Sequence, residues 1–179
     1  MPWKNPSVCA HFIRIPFNIE DGWPAAIPGS SVIACEAGAT LGSLYLEDES
    51  WRTLQGENIW SLRIDGEEPD PGSGFVMPTA PVQVPPAALE NSRCMNEWAM
   101  DVHGSVGRLL TWGASESWWL VNDADLELTL ICSPPSQFQI EFNKWSRRPF
   151  QWVDSTYWGQ SGIRAVVDLS KRFALEWST

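Results

Sequence analysis

Apolar and polar residues alternate most cleanly between Leu126 and Cys132, where Leu126, Leu128 and Leu130 are interleaved with Glu127, Thr129 and Ile131. A period of two places successive side chains on opposite faces of a strand. Ser117 to Val121 is a second strand, and Asn122 to Asp125 supplies the turn between them. Asn58 to Asp65 has the same character, with Ile59, Ser61 and Arg63 on one side and Trp60, Leu62 and Ile64 on the other, closed by a turn at Asp65-Gly66. Ser31 to Glu36 and Ser43 to Leu46 read as an antiparallel pair separated by Gly38 and Gly42. Further strands are expected over Ser7 to Phe17, with Pro16 at its end, over Phe138 to Phe142, and over Phe150 to Trp158.

Two segments carry helical spacing. In Ser161 to Trp177, Ile163, Val166, Val167, Ser170, Phe173, Ala174 and Trp177 recur every three or four residues, and Ser161 is a candidate cap. A strand pair within Ile163 to Leu175 is the alternative, since Ala165, Val167 and Leu169 also alternate. Pro86 to Met100 is the second helix, with Leu89, Met95 and Trp98 partly sharing a face and Gly104 and Gly107 limiting its extent. The fold class that follows is α+β: a mainly antiparallel sheet packed against one or two helices, including a C-terminal helix. Six prolines and two glycines between Pro69 and Pro86 mark a loop or linker over 69–88. It divides an acidic β-rich part, 1–68, from a tryptophan-rich α+β part, 89–179, and the two are expected to share one core.

Composition sharpens this picture. With 179 residues the chain is long enough to bury roughly 70% of its unfolded surface without a metal or disulfide staple. Hydrophobic residues at 44% and charged residues at 19% argue against intrinsic disorder. Cys9, Cys35, Cys94 and Cys132 are irregularly spaced with no CxxC, the pattern of free thiols. Arg14 and three prolines interrupt the first twenty residues, which is unlike a signal peptide, and no apolar run reaches the roughly 18 residues of a membrane span. A cytoplasmic protein without membrane contact is the expectation.

Charge is distributed unevenly. Between Glu20 and Asp70 lie eleven acids and only two bases, Arg52 and Arg63, so this stretch carries −9 of a formal net charge of −10. From Lys144 to Arg172 the sign reverses to +4. The two parts can neutralise each other within the fold, or the acidic part can steer a basic partner. The acidic surplus disfavours direct binding to nucleic acid, whose phosphates call for a basic face.

No segment has the specificity of a catalytic, nucleotide or metal signature. Asp101-Val102-His103-Gly104-Ser105 would align a carboxylate, an imidazole and a hydroxyl on one strand face, yet a working triad must converge from different segments. Cys94 or Cys132 would serve as a nucleophile with His103 only if folding brought them together. Asp123-Ala124-Asp125-Leu126-Glu127 lacks the glycine and distal glutamate of a calcium loop and reads better as a polar hairpin turn. Neither a metal nor a cofactor is expected.

Twelve tryptophans remain to be placed. Trp60, Trp98 and Trp177 fit buried faces, whereas Trp118-Trp119 on a strand sends one indole to each face, leaving at least one to be exposed or covered by a loop. Trp145, Trp152 and Trp158 accompany Arg147 and Arg148, as an aromatic and basic surface or a core rimmed by arginine. The favoured reading is a non-enzymatic inhibitor or immunity-type protein that blocks a basic, nucleic-acid-processing or toxin partner. Its contact residues would be Glu47, Asp48, Glu49, Asp65, Glu67, Glu68 and Asp70, with Trp51, Trp118 and Trp119 as anchors. The alternatives are a carbohydrate or small-ligand module with a tryptophan platform, and a hydrolase using His103 with Asp101 and a Ser or Cys nucleophile.

Overall fold

A computed structural model describes residues 14–36, 54, 56–65, 80–104, 107–126, 128–134 and 159–175. Two short strands, β1 (Ile19–Glu20) and β2 (Trp23–Pro24), form a hairpin. Six more make an antiparallel sheet: β3 (Ser31–Glu36), β4 (Ile59–Arg63), β5 (Val82–Gln83), β6 (Arg108–Gly113), β7 (Trp119–Asp123) and β8 (Leu128–Ser133). The order across the sheet is β3-β8-β7-β6-β4-β5. Helix α1 spans Ser92–His103, after a 3-10 turn at Pro86–Leu89, and α2 spans Gly159–Phe173. The architecture is α+β, with α1 packed on one face of the sheet and α2 on the other.

Strand alternation sorts the core. Ile59, Leu109, Trp118, Leu120 and Ile131 meet Met95, Trp98, Ala99 and Val102 of α1 on one face. On the other, Leu62, Leu110, Trp112, Trp119, Val121, Leu128, Leu130 and Cys132 pack with Leu169 and Phe173 of α2. The two sides expected of Asn58 to Asp65 are those found: Ile59 belongs to the first cluster, and Leu62, Trp60 and Ile64 to the second.

Helix α1 begins where Asn91 Oδ1 accepts the Cys94 N–H at 3.0 Å. It runs three residues past the expected end and stops at Gly104, whose φ of 79° leaves the helical region. Helix α2 starts at Gly159, two residues before the expected Ser161 cap. Its buried face is Val166, Leu169 and Phe173, with Ala174 exposed rather than buried. The alternative strand pair in this segment is thereby set aside.

The structure departs from the sequence reading at β6 and at residues 14–17. Central strand β6 carries adjacent buried leucines, Leu109 and Leu110, one for each covered face, so its sequence shows little alternation. The described part of Ser7 to Phe17, residues 14–17, is not a strand; the local pairing lies further on, at β1 and β2. Strand β3 pairs with β8, and Ser43 to Leu46 lies outside the described residues. So do Phe138 to Phe142, Phe150 to Trp158 and Trp177. Within 69–88, β5 sits between Pro81 and Pro85, with Val82 and Val84 buried. Proline is compatible with such a short strand, paired only with β4 among the described residues.

Candidate functional site

The register brings the C-terminal ends of β3 and β4 to the same end of the sheet. Glu36 pairs with Leu128, Leu128 with Asp123, and Asp123 with Arg108, whose carbonyl accepts the Ile64 N–H. From this end the chain leaves β3 toward Glu47-Asp48-Glu49 and leaves β4 toward Glu67, Glu68 and Asp70. Those six acids, and Trp51, lie outside the described residues.

Two acids at this end, Asp65 and Asp123, are engaged internally. Asp65 receives the Arg63 Nε–H at 2.8 Å, pairs with Arg63 Nη2 at 2.7 Å, and accepts the Arg108 N–H at 3.2 Å. Its carboxylate fills the space where a Gly107 side chain would project, at a φ of +89° that glycine tolerates. Arg108 pairs with Asp123 Oδ2 at 2.9 Å, donates to the Gly22 carbonyl at 3.0 Å, and lies 4.1 Å from the Trp23 ring centroid. Asp123 Oδ1 accepts the N–H groups of Asp125 and Leu126, at 3.0 and 2.9 Å. The carboxylate that resembled a calcium ligand thus organises the β7–β8 turn.

Asp65, expected to face a partner, is a structural acid here. Trp118 and Trp119 take a different place from the one expected as anchors. Their indoles do go to opposite faces, but each face is covered, and both residues are 0% exposed. Trp118 Nε1 donates to Glu57 Oε2 at 2.9 Å and Trp119 Nε1 to the Ala25 carbonyl at 3.0 Å, so the polar edge of each ring is satisfied inside. Trp98 is core, as expected, and Trp60 is half-buried. Every described tryptophan is buried or half-buried, leaving no open indole platform among the described residues.

Glu57 was not legible in the sequence. Its carboxylate also accepts the Ser115 N–H at 2.7 Å and lies over Gly113, in the space a Cβ there would occupy. Only the absence of a side chain at Gly113 hints at that arrangement.

The extended reading of Asp101 to Ser105 is overturned at its first three residues. They belong to α1, where positions two apart diverge by roughly 200°. Asp101 is exposed and His103 is 2% exposed; Ser105 lies outside the described residues. Cys94 and Cys132 are free thiols. Cys94 lies nine residues before His103 on the same helix, roughly 13 Å along its axis. Cys132 packs on the opposite face of the sheet, where burial raises its pKa, against the hydrogen bonds from Ile27 and Ser30. No group of three or more metal-ligating side chains converges among the described residues.

His103 is the unusual residue. Its ring stands edge-on to Trp98, at 5.6 Å between centroids, and neither nitrogen has a hydrogen-bond partner among the described residues. Burial, and then the Arg63 charge, lower its pKa from 6.5 to about 4. A helix C-terminus favours a cation by about 0.3–1 kcal/mol. A shift from 6.5 to about 4 corresponds to roughly 3 kcal/mol, so desolvation prevails and the imidazole is neutral at pH 7. The Ser61 and Thr111 hydroxyls, opposite one another on the same face, are likewise buried without partners among the described residues.

No known protein family, curated protein or solved structure matches the chain. Among the described residues, no helix is long and apolar enough to cross a membrane.

Proposed function

We propose that this is a non-enzymatic binding protein of the cytoplasm, which blocks a basic partner in the manner of an inhibitor or immunity protein. The observation that supports it is where the acids lie along the fold. Glu57, Asp65 and Asp123 are each engaged within the fold. Glu47, Asp48, Glu49, Glu67, Glu68 and Asp70 belong to two connections that start from one end of the sheet. In this reading these six carboxylates stand in for the phosphates that a nucleic-acid-processing enzyme or toxin binds, and Trp51 adds an apolar anchor. Part of the charge asymmetry is satisfied internally, since Arg172 of α2 lies 3.8 Å from Glu20 and donates to its carbonyl at 2.9 Å. That contact involves neither acidic cluster.

The test compares the protein with its sixfold variant E47Q/D48N/E49Q/E67Q/E68Q/D70N, each immobilised and exposed to host lysate. The reading predicts that the unaltered protein retains one basic protein in equimolar amount at low salt and releases it at high salt. The variant, equally folded, retains none. Equal capture by the variant, salt-insensitive capture, or no capture by either protein would contradict it.

A further inference from the structure

We infer that His103 is a proton-operated latch on the last turn of α1, closed while its imidazole is neutral and released by acid. The inference is independent of the proposed partner. The ring is held by packing alone: it is enclosed on the α1 face of the sheet, edge-on to Trp98, with no acceptor for an imidazolium N–H among the described residues. The charged groups around it give no compensation. Arg63 of β4 repels a second positive charge, and Asp65, which follows β4, is already committed to Arg63 and to the Arg108 N–H. On α1 itself Asp101 is exposed, while Arg93 and Glu97 pair with each other in solvent. Glu57, at the opposite end of this face, is taken by Trp118 and Ser115. The buried residues that the 3-10 turn, β5, β6, β7 and β8 contribute to this face are uncharged, among them Leu89, Val82, Leu109, Leu120 and Ile131.

The backbone provides the release point. His103 is the last residue of α1, followed by Gly104 at φ 79°, and the final turn is closed by the Gly104 N–H on the Met100 carbonyl at 3.1 Å. Swinging the ring into water opens that turn without disturbing the strand ladders. In the open form the imidazole recovers an ordinary pKa near 6.5, whereas in the closed form it takes up a proton only near pH 4. The open form therefore binds more protons between these values, and its population rises about tenfold for each pH unit lost.

Amide hydrogen exchange in the full chain from pH 7 to 4.5, corrected for intrinsic exchange rates, tests the latch. Protection of the Val102, His103 and Gly104 amides should fall about tenfold per pH unit below about 6.5. Amides of β7 and β8 should hold, and His103→Phe should flatten the dependence; His103→Gln provides the same control if the phenylalanine variant fails to fold. Protection independent of pH, a slope that survives both variants, or an equal loss in β7 and β8 would overturn the latch.

Discussion

The two faces of the sheet bury different chemistry. Against α2 lie Leu110, Trp112, Trp119, Val121, Leu128 and Leu130, and Asp123, an acid turned to that side, is matched by Arg108. Against α1 the apolar residues are interleaved with Ser61, Thr111 and His103, whose buried polar atoms lack partners among the described residues. A buried polar group without a hydrogen bond typically costs about 1–3 kcal/mol, so the α1 face is the less optimised of the two. The α2 face depends on packing, and the α1 face also depends on the protonation state of one imidazole.

The largest effects should come from the α2 face. Trp119→Ala removes a side chain that is fully buried and in contact with Phe173, at 5.9 Å between ring centroids. It should lower unfolding free energy by about 3–5 kcal/mol in urea denaturation. A loss below about 1 kcal/mol would mean that this face does not carry the fold. Asp123→Ala, which strips Arg108 of its partner and the turn of two hydrogen bonds, should cost about 2–3 kcal/mol by the same assay.

The α1 face should respond to pH. Because the folded-state pKa of His103 is depressed, its neutral form favours folding above the unfolded value of 6.5, and that contribution is lost as pH falls toward about 4. The stability of the unaltered protein should therefore fall relative to His103→Phe by roughly 2 kcal/mol between pH 7 and pH 5. Carboxylates common to both proteins cancel in this difference. The smallest effect should be Thr111→Val, which removes an unpartnered hydroxyl and should be neutral or stabilising by up to about 1 kcal/mol. A loss of 2 kcal/mol there would show that the hydroxyl has a partner and that the contrast between faces is weaker than drawn.

The same contrast explains which parts of the fold were legible in the sequence. Helix α2 announces itself because periodic burial leaves a period-3.6 imprint, and strands β4, β7 and β8 because their residue types alternate or abut a polar turn, even though β7 and β8 are buried throughout. Strand β6 does not, since Leu109, Leu110 and Trp112 are buried whichever way they point. The two-residue strands β1 and β2 are too short for a pattern; their turn, Asp21-Gly22, has positive φ at both positions, which suits a tight hairpin. At the site level, the split of Trp118 and Trp119 between two faces was readable. Their enclosure was not, because it depends on both faces being covered. The polar residues Asp101 and His103 suggested strand alternation, but Met95, Trp98, Ala99 and Val102 carry the helical spacing through the same segment. The pairing of Asp65 with Arg63 and Arg108 joins β4 to β6, a contact between residues 43 positions apart that no local pattern encodes.

The most direct test of the contrast is titration of the imidazoles by NMR, which is simple because the chain contains only two histidines, His11 and His103. The His103 ring should remain neutral at pH 5 in the folded protein, with its midpoint near 4. A midpoint near 6.5, with the fold intact, would mean that His103 is hydrated or paired, and would contradict both the latch and the difference between the faces.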